Sequence, residues 1–151
     1  MLSLQDYRFE WLTSEQLPLA GKFYQHHGIR GKVGRRDQCA VLRQPDSTIV
    51  AIAVIKQKDQ YNLLNHVAVI KALRRKGLAS HLLSLMACQF NTNTYCFPFT
   101  YLETLYMQHG FVKIKESQAL DTVVKRFQVY VNHGRDILLM RYQVSDDSIK
   151  V

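Results

Sequence analysis

A basic segment in the middle of the chain combines residue types that can bind phosphate. Residues 67–79 read VAVIKALRRKGLA, an apolar stretch followed by a basic turn with one glycine and then by small residues. A helix that begins here would leave about four backbone N–H groups without intrahelical partners, at the positive end of the helix dipole. Such an end binds phosphate oxygens, and small side chains let the ligand approach the backbone.

The charge around this segment has a single sign. Between Gln60 and Leu102 the chain contains no aspartate or glutamate, and its cations are Lys71, Arg74, Arg75 and Lys76. The alternative interpretation is a solvated basic turn that caps an ordinary helix. We favour phosphate binding because the turn lies between an apolar strand and an amphipathic helix.

The elements that position this turn follow from hydrophobic patterning. The apolar run Tyr61–Ile70 predicts a central strand covered on both faces. Apolar residues spaced i, i+4, i+7 and i+8 from Leu78 predict a helix packed on the sheet. Upstream, the pattern predicts a strand at Arg8–Leu12, a helix that ends near His27, and a hairpin of strands Cys39–Arg43 and Thr48–Lys56.

The second half of the chain alternates between strands and helices. Strands are predicted at Thr94–Phe99, Phe111–Lys115 and Ile137–Tyr142, and helices at Tyr101–His109 and Leu120–Asn132. No internal repeat or linker interrupts this order, so we expect a single domain over residues 1–151.

Two motifs in this element order resemble the GNAT family of N-acetyltransferases. Arg74-Arg75-Lys76-Gly77-Leu78-Ala79 fits the family's acetyl-coenzyme A motif, Q/R-x-x-G-x-G/A, and Tyr106 is followed four residues later by Gly110-Phe111. The similarity extends over roughly Arg8 to Tyr142. It implies an α/β (α+β) fold, a mixed and mostly antiparallel twisted sheet with helices on both faces. The predicted helix Leu120–Asn132 is additional to the minimal fold.

The resemblance also implies where acetyl-CoA would bind. The backbone amides from Arg75 to Ser80 would hold the pyrophosphate, and the main chain near Val67 and Val69 would pair with the pantetheine arm. The implied coenzyme-binding residues are Val67, Val69, Arg74, Arg75, Lys76, Gly77, Leu78, Ala79 and Ser80.

By the same resemblance, Tyr106 would face the coenzyme sulfur and protonate the thiolate that leaves when an amine attacks the thioester. The Val69 N–H would stabilise the oxyanion, and no covalent enzyme intermediate is needed. The alternative for Tyr106 is an aromatic side chain that packs at the edge of the core.

The general base is less clearly indicated, because the family often places a glutamate on its fourth or fifth strand. No acid lies between Asp59 and Glu103 in this chain. His66, with an unperturbed pKa of about 6.5, is the first substitute, and Glu103, about one helical turn before Tyr106, is the second. The alternative for His66 is a hydrogen-bonded histidine on a strand.

Composition limits the class of protein. The chain has 151 residues, 47% of them hydrophobic and 21% charged, which excludes a disordered or low-complexity protein. Three cysteines without a C-x-x-C pair suggest neither a disulfide framework nor a zinc site, and the six histidines lack metal-ligand spacing, so we expect no metal. With no apolar run of about 18 residues and no signal-peptide pattern, we expect a cytoplasmic protein without a membrane partner.

The formal net charge of +8 predicts an anionic partner. Coenzyme phosphates account for the cations around Arg74, but not for a second cluster made of Lys22, Arg30, Lys32, Arg35 and Arg36. This cluster indicates either a solvated face or a surface for an acidic substrate or RNA.

Three functions are compatible with the sequence. The first is an acetyl-CoA-dependent N-acetyltransferase that acts on a primary amine of a small molecule or peptide. The others are a non-catalytic acyl-CoA-binding sensor and, least favoured for lack of a recognised motif, a nucleic-acid-binding domain. The oligomeric state is open, a homodimer included.

Overall fold

The computed structural model describes residues 2–143, which form two compact units. The first comprises the described residues up to Gln57 together with Leu64–Cys88, and the second comprises Lys58–Leu63 and the described residues from Gln89 onward. The single domain expected over residues 1–151 stays a prediction.

The first unit consists of four strands and two α-helices. Its strands lie in the order β1-β2-β3-β4, and the pairs β1/β2 and β2/β3 are antiparallel, with Trp11 opposite Ala40 and Cys39 opposite Val54. The elements are β1 Arg8–Trp11, α1 Pro18–His26, β2 Gln38–Arg43, β3 Ile49–Gln57, β4 Asn62–Val69, whose first two residues belong to the second unit, and α2 Leu78–Met86.

Helices cover β2 and β3 on both faces. On one face Phe23 and Tyr24 of α1 pack in a cluster with Cys39, Val41 and Ile52. Because side chains alternate along a strand, these residues share a face. Helix α2 also contacts β2 and β3, and none of its residues is in this cluster, so α2 lies on the opposite face.

A capped turn precedes α1. Thr13 and Gln16 form a capping box, in which the Thr13 N–H donates to Gln16 Oε1 over 2.9 Å, but the box closes a 3₁₀ turn at Ser14–Gln16. The α-helix begins after it at Pro18, where the missing N–H would have had no intrahelical partner.

The second unit contains the start of β4, three short strands and two α-helices. Its strands lie in the order β4-β5-β7-β6, and β5 and β6 are both antiparallel to β7. The elements are β5 Thr94–Cys96, α3 Glu103–Met107, β6 Phe111–Lys113, α4 Asp121–Asn132 and β7 Met140–Tyr142. Val123 of α4 is fully buried in a cluster with Tyr61, Leu63 and Tyr95.

Strands β5, β6 and β7 are all shorter than predicted, and the predicted strand Phe111–Lys115 ends at Lys113. The predicted strand Thr94–Phe99 ends at Cys96, and the predicted strand Ile137–Tyr142 forms a regular ladder only from Met140. Pro98, which has no N–H to donate, follows the end of the ladder between β5 and β7, and pairing resumes beyond it as an isolated bridge between Phe99 and Ile137.

The described residues thus contain seven strands and four α-helices, and the predicted mixed, mostly antiparallel class is confirmed. None of the helices within residues 2–143 has both the length and the apolar character of a membrane span. All three cysteines are free: Cys39 and Cys96 are buried, whereas Cys88 is exposed on the 3₁₀ turn Ala87–Gln89 that follows α2.

Candidate active site

The burial of strand β4 changes at its midpoint. Leu63 and Leu64 are buried, whereas the residues from Asn65 to Val69 are half-buried. The change coincides with His66, whose φ of +55° lies in the left-handed region. A left-handed residue interrupts the extended backbone of a strand, as one type of β-bulge does, and we call this irregularity of β4 at His66 the bulge. The bulge therefore precedes Val67 and Val69, two residues expected to bind the coenzyme.

Side chains bind both backbone polar groups of His66. The His66 N–H donates to Asn65 Oδ1 over 2.8 Å, and the His66 carbonyl oxygen accepts a 2.6 Å hydrogen bond from the hydroxyl of Tyr24 on α1. A left-handed conformation costs a residue other than glycine about 1–2 kcal/mol. These two bonds, one of them from a buried tyrosine, stabilise the bulge against that cost.

The turn after β4 is tied to the end of the strand. The Ile70 N–H donates to the Val50 carbonyl over 2.9 Å, and a 3₁₀ turn follows at Lys71–Leu73. The Nε atom of Arg74 then donates to the carbonyl oxygen of Val69 over 3.1 Å. Arg74, expected to bind phosphate, is thus also bound to the strand.

The segment before α2 has the backbone geometry of an anion site. Arg75 and Gly77 both have positive φ, +65° and +82°, and turns of this kind gather N–H groups into a concavity. In α2 the His81 N–H donates to the Gly77 carbonyl over 2.9 Å. The N–H groups of Leu78 and Ala79 lie before this bond, at the helix start, where the helix itself offers no carbonyl partner. Arg75 and Lys76 are exposed beside them.

The first unit therefore brings together the residues expected to bind the coenzyme. The half-buried backbone of Val67 and Val69 leads within one short turn to the exposed cations and the first residues of α2. Among residues 2–143, no group of three or more His, Cys, Asp or Glu side chains is placed to hold a metal ion.

The two remaining catalytic candidates lie on α3, in the second unit. Tyr106 is buried, and its ring meets that of Phe111 edge to face at 6.1 Å. Burial, with smaller effects from Cys96 and Tyr101, raises the pKa of Tyr106 above its usual value. Its phenol therefore stays protonated at physiological pH, and burial makes it a weaker acid than a solvated phenol.

Glu103, the second candidate base, lies in the first turn of α3. Its carboxylate is half-buried, and Oε2 lies 3.9 Å from the exposed Nζ of Lys113. At this distance between partly solvated groups the ion pair is weak.

The glycine of the downstream motif has a packing role. Gly110 has a φ of +90°, and a Cβ at this position would lie 2.7 Å from the ring of Tyr142. Phe111, fully buried, contacts the rings of Phe90, Tyr106 and Tyr142. The spacing from Tyr106 to Gly110-Phe111 therefore reflects a tight turn and an aromatic core.

Comparison with known proteins identifies the fold. No protein-family model and no curated protein matches the chain. Solved structures do: N-acetylglutamate synthase from Neisseria gonorrhoeae, complexed with coenzyme A and N-acetyl-glutamate, has a TM-score of 0.61 and 14% identity over 91% of this chain. Ribosomal-protein-S18-alanine N-acetyltransferase from Escherichia coli has a TM-score of 0.59 and 17% identity over 93% of this chain.

The chain has the GNAT fold. It spans 97% of the Escherichia coli chain but only 36% of the Neisseria chain. A third structure, Rv2747 from Mycobacterium tuberculosis in complex with CoA, has a TM-score of 0.63 and 12% identity, and the similarity covers 91% of this chain and 99% of that one.

Within this GNAT fold, sequence analysis missed the residues that shape β4. Tyr24 looks like one more apolar position on the α1 stripe, and no signal in the sequence links it to His66, 42 residues away. The left-handed conformations of His66 and Arg75 are equally unexpected, since neither residue is glycine.

Proposed function

We propose that this protein is an acetyl-CoA-dependent N-acetyltransferase that transfers the acetyl group directly to a primary amine in a ternary complex. The observation that carries the proposal is the turn between β4 and α2, where left-handed residues, the first N–H groups of α2 and exposed cations adjoin a half-buried strand end. Solved structures with the same fold contain coenzyme A, which supports the assignment.

In this proposal the pyrophosphate lies against the backbone from Arg75 to Ser80, with Arg75 and Lys76 supplying charge. The main chain near Val67 and Val69 pairs with the extended pantetheine arm as a neighbouring strand would, and the Val69 N–H itself is kept for the thioester oxygen. Arg74 shapes the turn through its bond to Val69 and adds a positive charge. Acetyl-CoA is a substrate here, so its affinity is measurable without turnover.

The proposed chemistry needs three protein groups. The Val69 N–H donates to the oxygen that becomes negative when a neutral amine attacks the thioester carbonyl. As the tetrahedral intermediate collapses, the C–S bond breaks and Tyr106 gives its proton to the departing thiolate. A base removes the extra proton from the attacking nitrogen.

His66 and Glu103 are the two candidates for that base. His66 lies on the half-buried part of β4, with its ring 5.9 Å from that of Tyr24. Glu103 has a half-buried carboxylate. A His66→Gln and a Glu103→Gln variant distinguish them, because the variant that loses the base should lose the acidic limb of the kcat/KM profile against pH.

The acceptor is a primary amine of unidentified structure. The proteins that share the fold differ in this respect, since one is a glutamate N-acetylating synthase and another a ribosomal-protein alanine N-acetyltransferase. At identities of 14% and 17%, neither acceptor transfers to this chain.

A thiol-release assay tests the proposal. The protein is incubated with acetyl-CoA and a panel of polyamines, amino acids, aminoglycosides and peptides with free N-termini or lysines. Amine-dependent release of free CoA supports the enzyme. Thermal stabilisation by acetyl-CoA without thiol release for any amine would favour the acyl-CoA sensor instead. If acetyl-CoA fails to bind and nucleic acid binds with a steep salt dependence, the third function replaces both.

A further inference from the structure

We infer that Tyr24 is a positioning residue for this reaction: it holds the bulge of β4 in place and links that bulge to the basic loop that follows α1. The inference rests on the proposed function, because the strand that Tyr24 shapes is the one proposed to bind the coenzyme. It concerns α1 and the loop after it, neither of which contains a residue assigned above to catalysis or coenzyme binding.

The first contact is the hydrogen bond from the Tyr24 hydroxyl to the His66 carbonyl, at 2.6 Å. Tyr24 is only 2% exposed, and burial, with a smaller effect from Cys39, raises its pKa above the usual value. The hydroxyl therefore keeps its proton and acts as a donor. If it were absent, the His66 carbonyl would lose this partner at the bulge of β4.

The second contact lies on the face of the same ring. Gly31 packs so closely on Tyr24 that a Cβ at position 31 would lie 2.5 Å from Cδ1 and 2.6 Å from Cγ. The Ile29 N–H also donates to the Tyr24 carbonyl over 2.9 Å. The loop thus lies directly on the tyrosine, and only glycine fits at the point of contact.

The loop is anchored on both sides of that point, and its cations face outward. Ile29 and Val33 pack against the cluster that contains Tyr24, whereas Arg30 and Lys32 between them are exposed. Lys56 Nζ binds the Lys32 carbonyl at 2.8 Å. A ligand that binds Arg30 or Lys32 therefore engages a segment whose centre rests on the tyrosine.

The carboxylate of Asp37 stabilises the loop itself. The Oδ2 atom of Asp37 accepts a hydrogen bond from the Gly34 N–H over 2.8 Å and lies 3.3 Å from Lys56 Nζ. Its charge is therefore directed into the loop, and the exposed surface formed by Arg30, Lys32, Arg35 and Arg36 keeps its positive sign. Displacement of this loop would move the Tyr24 ring, whose hydroxyl binds the His66 carbonyl. Binding of a ligand to the loop and the conformation of β4 should therefore be coupled.

Tyr24→Phe is the main test, because it removes the hydroxyl and keeps the ring against Gly31. Tyr7→Phe is the matched control, since Tyr7 is a second buried tyrosine of the first unit, 8% exposed. By calorimetry we expect Tyr24→Phe to weaken acetyl-CoA binding about tenfold and Tyr7→Phe to leave it unchanged. Tyr24→Phe should melt at a lower temperature than the wild type, because the His66 carbonyl loses its bond to the hydroxyl.

Hydrogen exchange without coenzyme supplies a readout that a general loss of stability would not reproduce. In Tyr24→Phe the amides of Ala68 and Ile70, which face β3 as the bond from the Ile70 N–H to the Val50 carbonyl shows, should exchange about tenfold faster, while those of β2, such as Val41, keep the wild-type rate. A uniform acceleration across β2 and β4, or no acceleration, would overturn the inference.

Two further variants change the residues that Tyr24 contacts. Gly31→Ala should displace the ring and weaken acetyl-CoA binding even though the hydroxyl is retained. His66→Gly, made in the Tyr24→Phe background, should recover part of the affinity, because glycine adopts a positive φ without strain. Affinity is measured rather than turnover, so a role of His66 as base does not affect the result.

The outcomes separate this inference from the proposed function. If the wild-type protein does not bind acetyl-CoA, the proposed function fails, and the exchange experiment still decides whether Tyr24 shapes β4. If the wild type binds acetyl-CoA and Tyr24→Phe binds it equally well with unchanged exchange at Ala68 and Ile70, the inference on Tyr24 fails and the proposed function stands.

Discussion

Arg74 donates from Nε to the carbonyl oxygen of Val69 over 3.1 Å, which ties the basic turn to the last residue of β4. The bond directs part of the Arg74 guanidinium toward the protein backbone. Arg75 and Lys76, both exposed, are the neighbouring cations that are best placed to face a solvent-side anion. In the proposed site the three consecutive cations therefore have different roles: Arg74 binds the strand, and Arg75 and Lys76 supply charge for the phosphates.

Neutralising Arg75 and Lys76 should weaken coenzyme binding. We expect the double variant Arg75→Gln/Lys76→Gln to bind acetyl-CoA about tenfold more weakly and with a shallower dependence on salt, because fewer charges meet the phosphates. Calorimetry at two ionic strengths measures both effects. The control is Arg35→Gln/Arg36→Gln, an equal loss of exposed charge in the same unit, and equal weakening in the two variants would mean that only net charge matters.

A side chain at Gly77 should disturb the phosphate turn. The φ of +82° is strained for any other residue by about 1–2 kcal/mol, and Gly77→Val should also displace the N–H groups beside it. Gly134→Val is the control, since Gly134 has a similar φ of +86° with open space around it. Both variants should lose similar stability in urea, and only Gly77→Val should lose about tenfold or more in acetyl-CoA affinity. Wild-type affinity in Gly77→Val would contradict the site.

Removing the phenol hydroxyl of Tyr106 should slow the chemical step. A general acid contributes about 10²-fold or more, so Tyr106→Phe should lower kcat by that factor with little change in acetyl-CoA affinity. Steady-state kinetics with the best amine of the acceptor panel measures the effect. Tyr95→Phe, at another buried tyrosine of the second unit, should keep the wild-type kcat. An unchanged kcat in Tyr106→Phe would leave that residue with a packing role only.

The buried thiol of Cys39 predicts a loss of stability in alkali. Burial, with a smaller effect from Asp37, raises the pKa of Cys39 from 9.0 to about 12. Between these values the unfolded state has lost the proton and the folded state still holds it, so the free energy of unfolding falls as pH rises. From pH 8.5 to 10 this group should contribute a loss of about 1 kcal/mol.

Urea denaturation at several pH values compares the wild type with Cys39→Ala. The variant lacks the titrating thiol, so its free energy of unfolding should fall less steeply above pH 9, whatever its absolute stability. Parallel declines in the two proteins would show that the Cys39 thiol does not determine the alkaline limit.

The elements with the clearest hydrophobic periodicity were predictable from the sequence. The stripe from Leu120 to Asn132 corresponds to α4 within one residue, and the hairpin of β2 and β3 follows from two apolar runs around a Pro45 turn. The order of elements in residues 2–143 agrees with the expectation. These features depend on local sequence, in which hydrophobic spacing and turn residues act directly.

Features that depend on distant contacts were not predictable. The bulge at His66 needs Tyr24 from a different element, and the requirement for glycine at position 110 arises from the Tyr142 ring, 32 residues later. The helix expected after the basic turn begins at Leu78, where its apolar stripe begins, but the left-handed conformation of Arg75 in that turn was not predictable. Backbone conformations of this kind are stabilised by tertiary contacts that residue types alone do not reveal.

The accessibility of the three thiols makes the protein suitable for site-specific fluorescent labelling. Cys39 and Cys96 are buried, whereas Cys88 is exposed on the turn directly after α2. Helix α2 has nine residues and is about 13 Å long, so a dye at Cys88 lies one helix length from the turn proposed to hold phosphate. A maleimide dye attached there without mutagenesis offers an optical signal for screening acyl-CoA analogues.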